Sequence, residues 1–253
     1  MYGRVAVAAL AVGVLSTGCV SISQVQTADT LGTGKFQFAI EPGMAGAAVF
    51  AQDDTSIDGS VYYPHVDLGL RYGVADRVDL GVRFGSSLVE LQTKFLLTHP
   101  NDPDKAISLA PSAMALLGSI GEDELSYINL ALPVLVGFKT SGGSEFVLGP
   151  RVSLARVGVD DTSVSIISAG ASVGYALRVA EGFRLMPEVA VSYPLIGSVD
   201  TSSDSDVVGG FNGGFVQFKL GFLFGAGRPI NRSAVDENEN WGDNSNGNTD
   251  TGY

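Results

Sequence analysis

From Lys35 to Gly225 the apolar residues fall at every second position, in stretches separated by polar or glycine-containing connections, and this period of two constrains the chain more than any other feature. Successive side chains of a strand point to opposite faces, so each stretch describes a strand with one apolar and one polar face; a helix would need a spacing near 3.6. In 65–72, Val66, Leu68, Leu70 and Tyr72 alternate with His65, Asp67, Gly69 and Arg71. Val78, Leu80, Val82 and Phe84 alternate with Asp79, Gly81 and Arg83, and late in the chain Phe218, Leu220, Phe222 and Phe224 alternate with Gln217, Lys219 and Gly221. The pattern predicts strands near 35–50, 61–73, 77–85, 88–97, 105–118, 126–139, 145–157, 163–179, 183–197 and 213–225. The expected fold is therefore all-β.

The connections alternate in character. Gly73-Val74-Ala75-Asp76, Ser141-Gly142-Gly143-Ser144 and Ala180-Glu181-Gly182 are tight, whereas 52–60, 121–124, 160–162 and 200–212 are acidic and mostly longer. Short turns at one end and longer polar loops at the other describe an antiparallel up-and-down transmembrane β-barrel of about 10 strands, in a range of roughly 8–12, with an even number returning both termini to the short-turn side. Two connections break the rule: 99–104 is long for a periplasmic turn and 85–87 short for an outer loop. The loop acids, among them Asp53, Asp54, Asp160, Asp161 and Asp204, read as a solvated rim; no calcium-loop spacing is present.

Alternation alone also fits a β-sandwich, whose apolar faces meet in a core. Lipid is favoured by the confinement of Lys and Arg to one face of the strands, since such charges on a lipid-facing surface cost about 2–4 kcal/mol each at the midplane. Aromatic residues near strand ends, including Tyr72, Phe84, Tyr127, Phe138, Phe146, Phe183 and Tyr193, suit interfacial girdles. A surface or periplasmic β-sandwich lipoprotein is the alternative.

In a barrel the charged face is the lumen. Its expected lining is Arg71, Arg83, Lys94, Lys139, Arg151, Arg178, Arg184 and Lys219 against Asp67, Asp79, Glu90 and Glu188, eight cations to four anions and a net of +4. A hairpin pivoting on Ala75 sets Asp67 opposite Arg83 and Arg71 opposite Asp79, two inner ion pairs. Such a lumen serves either as a narrow pore favouring small anions or as a charge network that fills the interior.

Residues 1–18 have the layout of an export signal: Arg4, a small-apolar run from Val5 to Leu15, then Ser16-Thr17-Gly18. The run is about half the roughly 20 residues of a spanning helix. Cys19, the single cysteine, resembles the acylated residue of a lipoprotein signal, although Ser16 stands where the usual leucine would. Residues 19–34 are expected to be a periplasmic N-terminal segment, 35–225 the barrel, and 226–253, rich in Asn, Asp, Gly and Ser, a disordered tail. Without the signal the chain carries 14 basic against 27 acidic residues, a net of −13, which excludes nucleic acid as a partner.

The pattern over 35–225 resembles small bacterial outer-membrane β-barrel proteins, and Phe215 to Gly225 looks like their aromatic closing strand. The resemblance implies an outer-membrane location, lipids and the barrel-assembly machinery as partners, and an unidentified external ligand. No phosphate loop, dinucleotide fingerprint or metal-binding cluster occurs, and no cofactor is expected. His65 beside Asp67 at the barrel mouth invites comparison with the omptin proteases, but no matching local motif is present and no enzyme is expected. A structural or interaction barrel and a narrow pore remain as the function classes.

Overall fold

The computed structural model describes residues 22–50, 57–85, 88–100, 102–120, 123–159, 162–200, 205–209 and 213–225. The expected signal at 1–18, Cys19, the tail at 226–253 and the loop acids Asp53, Asp54, Glu122, Asp160, Asp161 and Asp204 lie outside the described residues.

The strands are β1 (Phe36–Phe50), β2 (Ile57–Ala75), β3 (Val78–Phe84), β4 (Val89–Leu96), β5 (Lys105–Leu109), β6 (Ser112–Ile120), β7 (Asp123–Lys139), β8 (Glu145–Val159), β9 (Thr162–Ala180), β10 (Phe183–Asp200), β11 (Ser205–Gly209) and β12 (Gly213–Phe224). Each pairs antiparallel with its neighbours, and β12 returns to pair with β1, closing the sheet on itself. β5 and β6 share one register against β4 and β7 and are a single wall strand. The interruption falls at Pro111, which has no N–H to give the ladder, while Thr93 N–H to Pro111 O (3.0 Å) and Ala110 N–H to Pro133 O (3.0 Å) hold the wall together. β11 and β12 likewise flank β10 in succession, so the twelve segments make ten wall positions. Some strands outrun their apolar stretches at the loop end, as β2 and β10 do. A tilted span needs only about 9–11 residues, so pairing continues past the point where the lipid pattern stops.

The polarity is inside out. Phe38, Leu70, Leu91, Leu132, Val189 and Phe218 are exposed on the outer face, while Glu41 and Lys219 are 0% and Arg83 and Glu90 1% exposed inside. This arrangement overturns the β-sandwich alternative, in which the apolar face would be the buried one. Around the short-turn rim Tyr72, Phe36, Phe38, Phe224 and Phe183 form a continuous aromatic belt across β2, β1, β12 and β10, with Phe36 and Tyr72 rings 4.5 Å apart and Phe183 and Phe224 5.0 Å apart. Tyr127, expected in a girdle, is instead buried in the lumen; it occupies an odd position of β7, whose odd positions point inward.

Two further expectations are corrected. The β2–β3 hairpin turns on Asp76-Arg77 with Ala75 opposite Val78 and a bulge between Gly73 and Ala75, which shifts the ladder by two residues. Arg71 therefore faces Gly81 and Arg83 faces Gly69, not Asp79 and Asp67. An even shift leaves every side chain on its expected face. The second correction concerns residues 22–34, which do not form a periplasmic segment: Val25 and Ala28 are fully buried within the barrel.

Candidate functional site

Residues 22–31 run through the lumen without secondary structure, starting level with Ala45, Tyr63 and Phe215 and descending to the short-turn end. There Gly34 N–H bonds Gly73 O at 2.8 Å and the chain turns into β1. A closed barrel has already committed its own backbone groups to the ladder, so a strand inside it must be satisfied by side chains. The lumen cations do this. Arg151 donates to Ile22 O and Arg83 to Ser23 O; Arg71 reaches Val25 O at 2.7 Å; Lys94 bridges Thr27 O (3.1 Å) and Asp29 O (2.7 Å). Ser108 donates to Ala28 O. In the other sense, Ile22 N–H donates to Gln217 (2.9 Å), Ala28 N–H to Glu145 (2.8 Å) and Leu31 N–H to Asp79 (3.1 Å).

The wall is shaped for this occupant. A Cβ on Gly221 would overlap Val25, one on Gly73 would overlap the backbone of Gly32, and one on Gly137 would lie 2.9 Å from the Ala28 Cβ. Val25 and Ala28 also complete a small apolar core with Ala39, Leu96, Leu135 and Met186. Above them, the hollow between Ile22, Ala45, Tyr63 and Phe215 measures about 10 Å³, at the lower bound for one water.

Of the twelve expected lumen charges, Asp67, Arg71, Asp79, Arg83, Glu90, Lys94, Arg151, Glu188 and Lys219 are buried inside. Lys139 and Arg184 are half-buried and engage Asp29 (2.7 Å) and Glu145 (4.0 Å). Arg178, near the end of β9, is exposed. The fold brings six of the buried nine into two clusters. In one, Arg83 pairs with Glu90, directly opposite on β4, and lies 3.4 Å from Glu41 and 3.7 Å from Asp67. Glu41 and Asp67 face each other across the β1–β2 ladder, a like-charge pairing that is unfavourable alone. Lys219 bridges them at 3.0 and 2.6 Å. In the other cluster Lys94 pairs with Asp79, its ladder partner, at 3.2 Å.

Glu41, Glu145 and Asp29 were not in the expected lining, and they change its balance. Among the described residues seven acids (Asp29, Glu41, Asp67, Asp79, Glu90, Glu145 and Glu188) stand against seven bases (Arg71, Arg83, Lys94, Lys139, Arg151, Arg184 and Lys219), so their net is zero where +4 was expected. Glu41 escaped because β1 has a broken alternation through Pro42 and Gly43, and Glu145 because it opens its strand. His65 is buried with Nε2 2.8 Å from Gln217 Nε2, and Asp67 is held by Lys219, so the two do not hydrogen-bond as a dyad.

The chain is a closed ten-stranded transmembrane β-barrel. No family model and no curated protein matches it. Among solved structures, it is similar to Neisserial surface protein A, at 13% identity and a TM-score of 0.41 over 75% of this chain and 96% of that one. The outer membrane protease OmpT from Escherichia coli aligns at 8% identity and a TM-score of 0.38, covering 79% and 100%. The outer membrane protein OprG from Pseudomonas aeruginosa aligns at 13% and 0.31, covering 79% and 100%. Among the described residues, 22–31 lie inside this barrel.

Proposed function

We propose that this protein is a bacterial outer-membrane barrel closed by its own N-terminal segment, acting as a structural or interaction barrel and not as an open pore or an enzyme. The observation that carries the reading is the passage of residues 22–31 through the lumen, with six of its carbonyls and three of its amides held by wall side chains. The apolar outer face and aromatic belt support insertion in a bilayer. Export by residues 1–18, acylation of Cys19 and insertion by the barrel-assembly machinery belong to the same proposal.

The test is paired. Purified protein should resist an alkaline wash of membranes, shift on a detergent gel when boiled, and pass no steady current in a planar bilayer. Gly221→Leu, which removes the room for Val25, should keep the gel shift and conduct. Steady current through the unaltered protein would sink the closed-barrel reading, and loss from the membrane in the wash would sink the barrel's membrane placement.

A further inference from the structure

Resting on the reading that residues 22–31 close the lumen, we infer that the lumen is a binding site for an extended polypeptide recognised chiefly through its main chain, with the chain's own segment as resident occupant. Six carbonyls of the segment (Ile22, Ser23, Val25, Thr27, Ala28 and Asp29) and three amides (Ile22, Ala28 and Leu31) are held by wall side chains. Side-chain recognition is sparser: Ser23 to Glu188 at 2.5 Å, Gln24 to Glu90 and Ser112 at 2.9 and 2.6 Å, Asp29 to Lys139, and Thr30 to Asp76 O at 2.8 Å. Carbonyls and amides are common to every peptide, so this wall reads conformation more than sequence.

What the wall does select is size. Gly221, Gly137 and Gly73 admit only small side chains or bare backbone at the positions of Val25, Ala28 and Gly32. The carbonyl-binding groups are Arg71, Arg83, Lys94, Arg151, Lys219 and Ser108, and Glu188 and Glu90 face positions 23 and 24, so both signs of charge line the path. The ligand class is therefore an extended peptide with small residues at the positions of Val25, Ala28 and Gly32, supplied in cis here and acceptable in trans once the resident segment is released.

The experiment uses the full chain with a protease site inserted at the exposed Thr33–Gly34 turn. The folded barrel is cut, washed in mild urea and recorded in a bilayer, then offered synthetic peptides. A peptide of residues 22–33 should reclose it. One with Gln26 and Thr30 changed to alanine, neither of which bonds a wall carboxylate, should reclose it within about tenfold of the same concentration. One N-methylated at Ala28 and Leu31 should need roughly 100-fold more, since each lost amide bond to a carboxylate is worth about tenfold in affinity. Alanine substitution abolishing closure, or N-methylation leaving it intact, would overturn main-chain recognition. An opened barrel that no peptide recloses, or a cut and washed barrel that stays shut and takes up no labelled peptide, overturns the inference alone; steady current before cutting overturns the closed-lumen reading and the inference with it.

Discussion

Replacing Arg83 with methionine removes the charge at the centre of the lumen while keeping most of the side chain's volume. Arg83 is 1% exposed and serves Glu90, Glu41, Asp67 and Ser23 O together. Breaking a buried ion pair by deleting one partner costs about 3–5 kcal/mol, because the remaining charge is stranded. Here no carboxylate is left bare: Lys219 still lies 3.0 Å from Glu41 and 2.6 Å from Asp67, and Gln24 still donates to Glu90 at 2.9 Å. The cost should therefore sit at the low end, about 3 kcal/mol. With a urea dependence of about 2–3 kcal/mol/M, the unfolding midpoint falls by about 1–1.5 M. The assay is the fraction of compact, unboiled band against urea in detergent micelles. Adding Glu90→Gln should restore part of the loss, with a coupling of about 1–3 kcal/mol in the double-mutant cycle. A fall of under about 0.3 M for Arg83→Met would match a solvent-screened pair and would mean that the lumen is wet, refuting the closed interior.

Two further outcomes test other parts of the molecule. Leu132, exposed on the outer face of β7, should cost about 2–4 kcal/mol when changed to Arg, read by the same urea series in lipid vesicles; a neutral result would mean that this face does not meet hydrocarbon. In the β4–β5 turn, the amides of Lys105 and Asp104 each donate to Asp102 at 3.0 Å and hold its carboxyl below the ordinary range. A depressed folded value gives stability that is present above about pH 4 and lost as pH falls through that folded value. The stability gap to Asp102→Ala, small because the group is exposed, should close in acid; a gap constant from pH 6 to 2 would count against the turn's hydrogen bonds.

Much of the barrel was legible because two faces meeting different surroundings impose a strict alternation. The 145–157 and 213–225 stretches fall on β8 and β12 within two residues at each end, and the inward side of Asp67, Arg83, Glu90 and Lys219 follows from parity alone. Parity could not place Arg83 against Gly69, because which rung of β2 faces which rung of β3 depends on a bulge between Gly73 and Ala75 that no residue pattern announces. Nor could it weigh Glu41, whose strand has Pro42 and Gly43 interrupting the signal.

Residues 22–31 show where local sequence stops informing. Ile-Ser-Gln-Val-Gln-Thr-Ala-Asp-Thr-Leu carries no period and no strong propensity, which is why a periplasmic segment is expected there. The alternation by itself determined that the chain makes a ladder of two-faced strands with its charges on one side, since that is a property of each residue and its immediate neighbours. Closure at β1 and β12, the grouping of seven acids with seven bases, and the filling of the lumen by a segment without secondary structure were decided only in three dimensions. The partners there are far apart in the chain, as Ile22 and Gln217 are, and they meet only because the closed wall gathers inward side chains from all its strands around one interior.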